Sequence, residues 1–144
     1  PDNLSKQAAE AMVPAQSVDE YKFNWEGTQD MDVEQLQDQN ALAADTCMAI
    51  GANPHYAQTT IEYIDNQLSR PDLVPCGNDL EGVQTVLAQR FGANADATLA
   101  AAKAACAQMP DDGRQWLFDA LSNLDTNGFA WVIGRLASIH NSHR

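Results

Sequence analysis

Two features of this sequence could hold a metal: the segment Asp125-Thr126-Asn127-Gly128 and the histidine pair His140 and His143. The segment has the opening pattern of a calcium-binding loop, but Phe129 stands where the next oxygen ligand belongs and no Glu closes the loop. The two histidines are three residues apart, yet neither His55 nor the cysteines add ligands at a zinc-binding spacing. We therefore predict no metal site and no cofactor.

Catalytic groups are equally hard to assemble from these residues. The sequence has no Gly-x-Ser-x-Gly elbow, no cysteine with a recognisable His and Asn pair, and no glycine-rich phosphate loop. The acid pairs Asp19-Glu20 and Asp111-Asp112 could transfer protons in principle. Adjacent carboxylates in polar segments or at helix starts are, however, usually solvated surface groups. The sequence thus predicts a protein that is not an enzyme and has no catalytic residues.

Aromatic residues and arginines are the remaining candidates for contact with a partner, since these residue types dominate binding hot spots. The three aromatics of residues 21–25 alternate, so an extended chain presents them on one face. Trp131 lies off the apolar stripe of its predicted helix, and core packing is the competing interpretation for it and for Trp116. We predict partner contacts at six residues: Tyr21, Phe23, Trp25, Arg114, Trp131 and Arg135.

Apolar residues recur at helical spacing from residue 32 onward. Asp32-x-x-Gln35 has the pattern of a capping box, and the stripe Val33, Leu36, Ala43 and Cys47 follows it up to Gly51. Asn53-Pro54 then opens a second helix. We predict helices over 32–50, 54–69, 79–91, 96–109 and 111–123, and a last apolar stripe from 129 to 139 after a turn at 125–128. Asn78-x-x-Glu81 is the predicted cap of the third helix, and the alanine-rich fourth helix should allow a neighbouring helix to approach closely.

The amino-terminal part differs in character from the rest. Residues 3–12 fit a short helix that Pro14 ends, and residues 15–31 read as a polar, extended arm. Two prolines and a glycine interrupt regular structure at 70–78, where the charge balance also changes. We divide the chain into 1–31 (short helix and arm), 32–72 (acidic helical hairpin) and 73–144 (carboxy-terminal helical module). The fold class is all-α: a compact bundle of about five to six short helices with an extended N-terminal arm.

Charge and composition exclude several kinds of partner. The formal net charge is −12, with 13 Asp and Glu against 3 Lys and Arg in residues 1–72 and 7 against 5 in residues 73–144. This balance argues against direct nucleic-acid binding. No apolar run approaches the roughly 20 residues of a membrane span, so we expect no membrane association. The three cysteines have no close pair, which fits a reducing compartment. Proteins remain as the expected partners.

A set of short motifs occurs in a characteristic order along the chain: Tyr21-Lys22-Phe23-x-Trp25, Leu42-Ala43 to Ile50-Gly51, Phe91-Gly92, Leu99-Ala100-x-Ala102-Lys103-Ala104, Trp116-Leu117, Thr126-x-Gly128, and the stripe Val132, Ile133, Leu136 and Ile139. From about Val13 to His140 the chain resembles the capsid assembly (scaffolding) proteins of tailed bacteriophages. The linker after residue 128 is shorter than in that pattern, and a long charged helical rod is missing. These departures argue against an internal-scaffold role and leave room for a related virion structural component.

The resemblance implies a non-enzymatic protein that guides or decorates a shell through its carboxy-terminal helices. It implies phage capsid or portal-type proteins as partners, with self-association, in the virion or the host cytoplasm. The acidity of the chain leaves a second hypothesis open. Carboxylates of residues 19–45 could imitate phosphates, so that the chain inhibits a host protein by binding its basic surface.

Overall fold

The last helix of the chain organises the fold. A computed structural model describes residues 15–25 and 31–143, and within these residues it contains helices but no strand. The helices are α1 (Val33–Ala49), α2 (Pro54–Leu68), α3 (Leu80–Phe91), α4 (Ala95–Ala107), α5 (Asp111–Asn123) and α6 (Thr126–Asn141), with 3-10 turns at Val18–Glu20 and Gly92–Asn94. Helix α6 contacts α2, α3, α4 and α5. The predicted all-α bundle of short helices is therefore confirmed.

The core surrounds α6, and nearly half of the residues of this helix are buried: Gly128, Ala130, Val132, Ile133, Leu136, Ala137 and Ile139. Its most extensive contact is with α4, which buries three alanines and a cysteine. Small side chains let two helix backbones approach closely. The alanine-rich composition of α4 thus gives the close helix pair that the sequence predicted.

The acidic helices α1 and α2 join the same core. Helix α1 packs on α5, and α2 packs on both α5 and α6. A single cluster of buried apolar residues extends from Ala15 to Ile139. The boundary predicted at 70–78 falls in the helix-free stretch between α2 and α3, so the two helical segments are separated along the chain but share one interior.

Local capping signals fix most of the helix starts. Asp32 and Gln35 form the predicted capping box, and the side chain of Asn53 accepts hydrogen bonds at the start of α2, where Pro54 is the first residue. Gly51 and Gly92 have positive φ angles of 70° and 55°, as expected for residues that end helices. These parts of the sequence therefore determine their structure locally.

Two predicted boundaries were wrong by a few residues. Asp79, rather than Asn78, caps α3, and its carboxylate accepts from the Gly82 amide. The predicted turn at 125–128 is the cap and first turn of α6, because Asp125 accepts a 2.7 Å hydrogen bond from the Gly128 amide. In both places an Asp three residues before a glycine caps the helix, and α6 therefore begins earlier than its apolar stripe from residue 129 suggests.

The apolar stripe predicted for α1 also needs correction. Val33 is 71% exposed, whereas Ala43 and Cys47 are buried. The buried residues of α1 all lie in its second half, where the helix reaches the core. Val33 lies in the first turn of α1, which extends beyond the part of the helix that packs on the core. The predicted helix at 3–12 and part of the predicted arm lie outside the described residues.

Gly113 sets the distance between α1 and α5. A Cβ atom built at Gly113 would lie 2.0 Å from Oγ1 of Thr46, which is buried and donates a hydrogen bond to the Leu42 carbonyl. Any side chain at Gly113 would therefore push the two helices apart or displace Thr46. Only glycine allows this approach.

Gly113→Ala should destabilise the protein. Overpacking costs about 1–3 kcal/mol, and alanine returns up to about 1 kcal/mol of helix propensity, so we expect a net loss of about 1–2 kcal/mol in urea denaturation. Thr46→Ala removes the clashing oxygen, so the double variant should show a favourable coupling energy between the two positions. Strictly additive effects of the two substitutions would contradict the close approach.

Candidate functional site

An apolar groove opens to solvent between α3, α4, α5 and α6. Its volume is about 380 Å³, within the range of roughly 300–1,000 Å³ that is typical of ligand pockets. We call it the α3–α6 groove. Its lining residues are Leu80, Val83, Gln84, Leu87, Leu99, Ala102, Lys103, Cys106, Ala107, Arg114, Phe118, Leu121, Phe129 and Ile133.

The groove has a buried floor and an exposed apolar rim. The floor is made by the buried side chains of Val83, Leu87 and Leu121. Leu80 and Phe118 on the rim are 66% and 46% exposed. Large apolar side chains that meet at one solvent-exposed concavity indicate a surface for a partner more strongly than scattered ones do.

Alanines in α4 keep the groove open. Ala102 and Ala107 line it, and their side chains are too short to fill the space between α3 and α5. The same small side chains allow α4 to pack closely on α6. The groove is therefore a consequence of the close helix pair at the centre of the fold.

Two cations lie at the groove, Lys103 on α4 and Arg114 on α5, and none of its lining residues is an acid. Arg114 Nε donates to the Cys106 carbonyl at 3.1 Å, and Nη2 donates to the Met109 carbonyl at 3.0 Å. These bonds satisfy carbonyls at the end of α4 and fix the orientation of the guanidinium. Arg114 thus has a structural role and also presents charge at the rim.

Cys106 is the cysteine in the lining of this groove. Burial raises the pKa of its thiol, and Arg114 opposes that effect only in part. A buried thiol with a raised pKa stays protonated near neutral pH and is a poor nucleophile. The lining therefore offers apolar contact and two positive charges, with no activated nucleophile among its side chains.

Trp131 and Arg135 contact α2. The Trp131 ring stacks on Tyr63 with centroids 3.8 Å apart. The Arg135 guanidinium lies 3.4 Å from the centre of the Tyr56 ring, and it donates to the Tyr56 carbonyl and to Thr59 and Thr60. Burial lowers the pKa of Arg135, although an arginine remains charged in proteins. Both side chains therefore hold α6 against α2.

The aromatic residues of the arm also have contacts within the chain. Tyr21 is buried, and its hydroxyl donates a 2.5 Å hydrogen bond to the Ala52 carbonyl. Its ring stacks on Phe23 at 6.2 Å, Phe23 meets Trp25 edge-on at 5.7 Å, and Trp25 meets Trp116 at 6.5 Å. Residues 21–25 thus form an aromatic row that ends on α5.

The six predicted contact residues therefore fall in three places. The aromatic residues of the arm pack against the buried core, and Trp131 and Arg135 lie against α2. Arg114 lies apart from both groups, at the α3–α6 groove. Their partner-binding role stays a prediction. Sequence reasoning missed Phe118 and Lys103. Phe118 could have been noticed because it lies off the stripe Leu117, Ala120 and Leu121 of its own helix.

The residues predicted to be poor metal ligands have other contacts. Asp125 caps α6, and His143 Nε2 lies 2.8 Å from the Gly51 carbonyl. Within residues 15–25 and 31–143, no group of three His, Cys, Asp or Glu side chains could hold a metal ion. The helices described there include none that is long and apolar enough to cross a membrane.

A second candidate surface lies on α1. Glu34, Asp38 and Asp45 are exposed and fall on one face of the helix, at spacings of four and seven residues. In the described part of the chain the ion pairs are Arg70 with Asp72 and Arg114 with Asp111, so none of these three carboxylates is paired with a cation there. This face is the structural counterpart of the acidic segment noted in the sequence.

Comparisons with protein-family models, with characterised proteins and with solved structures found no match to this chain. The resemblance to phage scaffolding proteins therefore stays a prediction.

Tyr21→Phe should test how the arm is held. Loss of the buried hydrogen bond should cost about 1 kcal/mol at neutral pH, measured by urea denaturation. Burial raises the Tyr21 pKa well above its usual value of 10.0. Because the folded-state pKa is the higher one, this stabilisation is complete below pH 10 and is lost as the pH rises further.

The stability difference between the wild type and Tyr21→Phe should therefore stay constant from pH 8 to about pH 10 and shrink as the pH rises towards 11. Burial also raises the pKa of Cys47, to about 12, but this thiol is present in both proteins and largely cancels in the comparison. A difference that stays constant over this pH range would show that Tyr21 is not buried in the folded protein.

Proposed function

We propose that this chain is a non-enzymatic binding protein that holds an amphipathic helix of a partner protein in the α3–α6 groove. The observation that carries the proposal is the open apolar concavity of about 380 Å³ with Leu80 and Phe118 exposed on its rim. Helices bind such grooves through apolar anchors at positions i, i+3 or i+4, and i+7. Burial of rim and floor together supplies the driving force.

Two further observations support binding rather than catalysis. The groove lining contains no acid and no histidine, so it lacks the usual proton-transfer groups. Its cysteine has a raised pKa. A lining of mainly apolar side chains with a few fixed polar groups is typical of a recognition site.

The groove can be tested with a designed peptide that forms an amphipathic helix with leucine anchors. We expect Phe118→Asp to weaken binding at least about tenfold, the equivalent of 1.4 kcal/mol, in fluorescence anisotropy titrations. Val74→Asp is the matched control, because Val74 is an exposed apolar residue that does not line the groove.

Circular dichroism should show that both variants fold, since neither side chain is buried. Equal affinity of the two variants for the peptide would contradict the proposal. So would a wild-type chain that binds no amphipathic peptide at all.

The resemblance to scaffolding proteins supports a more specific proposal: the partner is a phage capsid or portal-type protein, and the chain self-associates on a repeating lattice. Mass spectrometry of purified procapsids and virions should then detect the chain at a fixed ratio to the coat protein. Its absence from both kinds of particle would rule this role out and leave the groove proposal intact.

The acidic face of α1 supports a second candidate function. Unpaired carboxylates on one helix face could imitate phosphates and occupy a basic surface of a host protein. Such binding would weaken strongly as salt rises, whereas binding in the groove, which depends mainly on apolar contact, would change much less. Salt dependence of affinity for the natural partner therefore separates the two functions.

A further inference from the structure

We infer that the helix bound in the α3–α6 groove carries acidic residues on the flank that faces α4 and α5. This inference rests on the proposed function and identifies the chemistry of the partner. The geometry that points to it is the pair of cations that α4 and α5 contribute to the groove lining.

The groove lining carries positive charge, although the chain as a whole carries a negative net charge. The protein has 20 Asp and Glu against 8 Lys and Arg, yet the 14 lining residues include Lys103 and Arg114 and no acid. Asp111 lies 3.6 Å from Arg114 Nη2, but its side chain is fully exposed, so solvent screens this ion pair. The groove therefore presents positive charge on an otherwise acidic molecule.

Both cations lie on the same side of the groove. Lys103 is one helical turn before Cys106 on α4, and the Cys106 carbonyl accepts from Arg114 Nε. Helix α3 contributes Gln84 and three apolar side chains to the lining, and none of its lining residues is charged. A bound helix thus meets charge on one flank and neutral surface on the other.

Arg114 is prepared for a carboxylate. Its Nε and Nη2 groups are held by two backbone carbonyls, while Nη1 donates to no acceptor in the described part of the chain. A guanidinium that is already ordered loses little conformational entropy when it pairs with an incoming anion. A partner carboxylate would therefore find a fixed donor at the rim.

The extent of the apolar surface favours a helix over a small anionic amphiphile. A ligand that fills about 380 Å³ would occupy the concavity. Leu80 and Phe118 remain largely exposed at its edges and continue the apolar surface outwards. A helix with successive anchors covers both the concavity and the rim.

The test uses three designed peptides with one shared leucine stripe and Glu, Gln or Lys on one flank. Affinities for the full chain are measured by fluorescence anisotropy at physiological salt. We expect the Glu peptide to bind about tenfold more tightly than the Lys peptide. The net charge of −12 acting alone would give the opposite order.

Lys103→Gln should weaken binding of the Glu peptide about two- to fivefold, as expected for a solvent-exposed ion pair, and should leave the Gln peptide unchanged. Lys22→Gln is the matched control, since it removes the same charge from an exposed position that does not line the groove. It should leave binding of the Glu peptide unchanged.

Equal binding of the three peptides, or tightest binding of the Lys peptide, would overturn the acidic-flank inference while the groove remains a docking site. An equal loss in the Lys103 and Lys22 variants would also overturn it, because net charge would then explain the effect. Failure of all three peptides to bind would remove the groove itself as a helix-docking site.

Discussion

The burial of α6 against four other helices is the constraint on which the rest of the structure depends. A helix so enclosed must place small residues wherever a neighbour comes close, and a Cβ atom at Gly134 would lie 2.8 Å from the Phe91 ring. It must also find partners for any charge it carries. Arg135 meets this requirement with hydroxyl and carbonyl acceptors and with the face of Tyr56. The residues of α6 can therefore largely be explained by packing against the neighbouring helices.

The candidate site follows from the same constraint. Alanines in α4 permit close contact with α6, but they present too little volume to close the space between α3 and α5. Larger side chains at Ala102 or Ala107 would fill the groove from inside. The chain therefore exposes Leu80 and Phe118 beside an open concavity, at a cost in exposed apolar surface that a bound partner would recover.

The sequence predicted those features that depend on neighbouring residues. The caps at Asp32 and Asn53 and the helix ends at Gly51 and Gly92 all depend on interactions within a few residues. The groove could not be predicted in this way, because four helices contribute its lining and each contributes ordinary apolar residues. Likewise, Arg114 is of a residue type that is common in binding hot spots. Its contacts with the end of α4 depend on a tertiary arrangement that spacing alone does not encode.

Charge acts at two scales in this molecule, and the two scales have opposite signs. During its approach, a partner encounters the summed field of a chain with a net charge of −12, which salt screens over a Debye length of about 8 Å. At the rim of the groove it encounters Lys103 and Arg114. An acidic partner is thus repelled until its apolar stripe fits the groove, and only then gains the local pairing. A basic partner is attracted generally but finds no carboxylate in the groove lining. Discrimination of this kind depends on the fit of apolar surfaces, with the rim charges fixing the orientation of the helix.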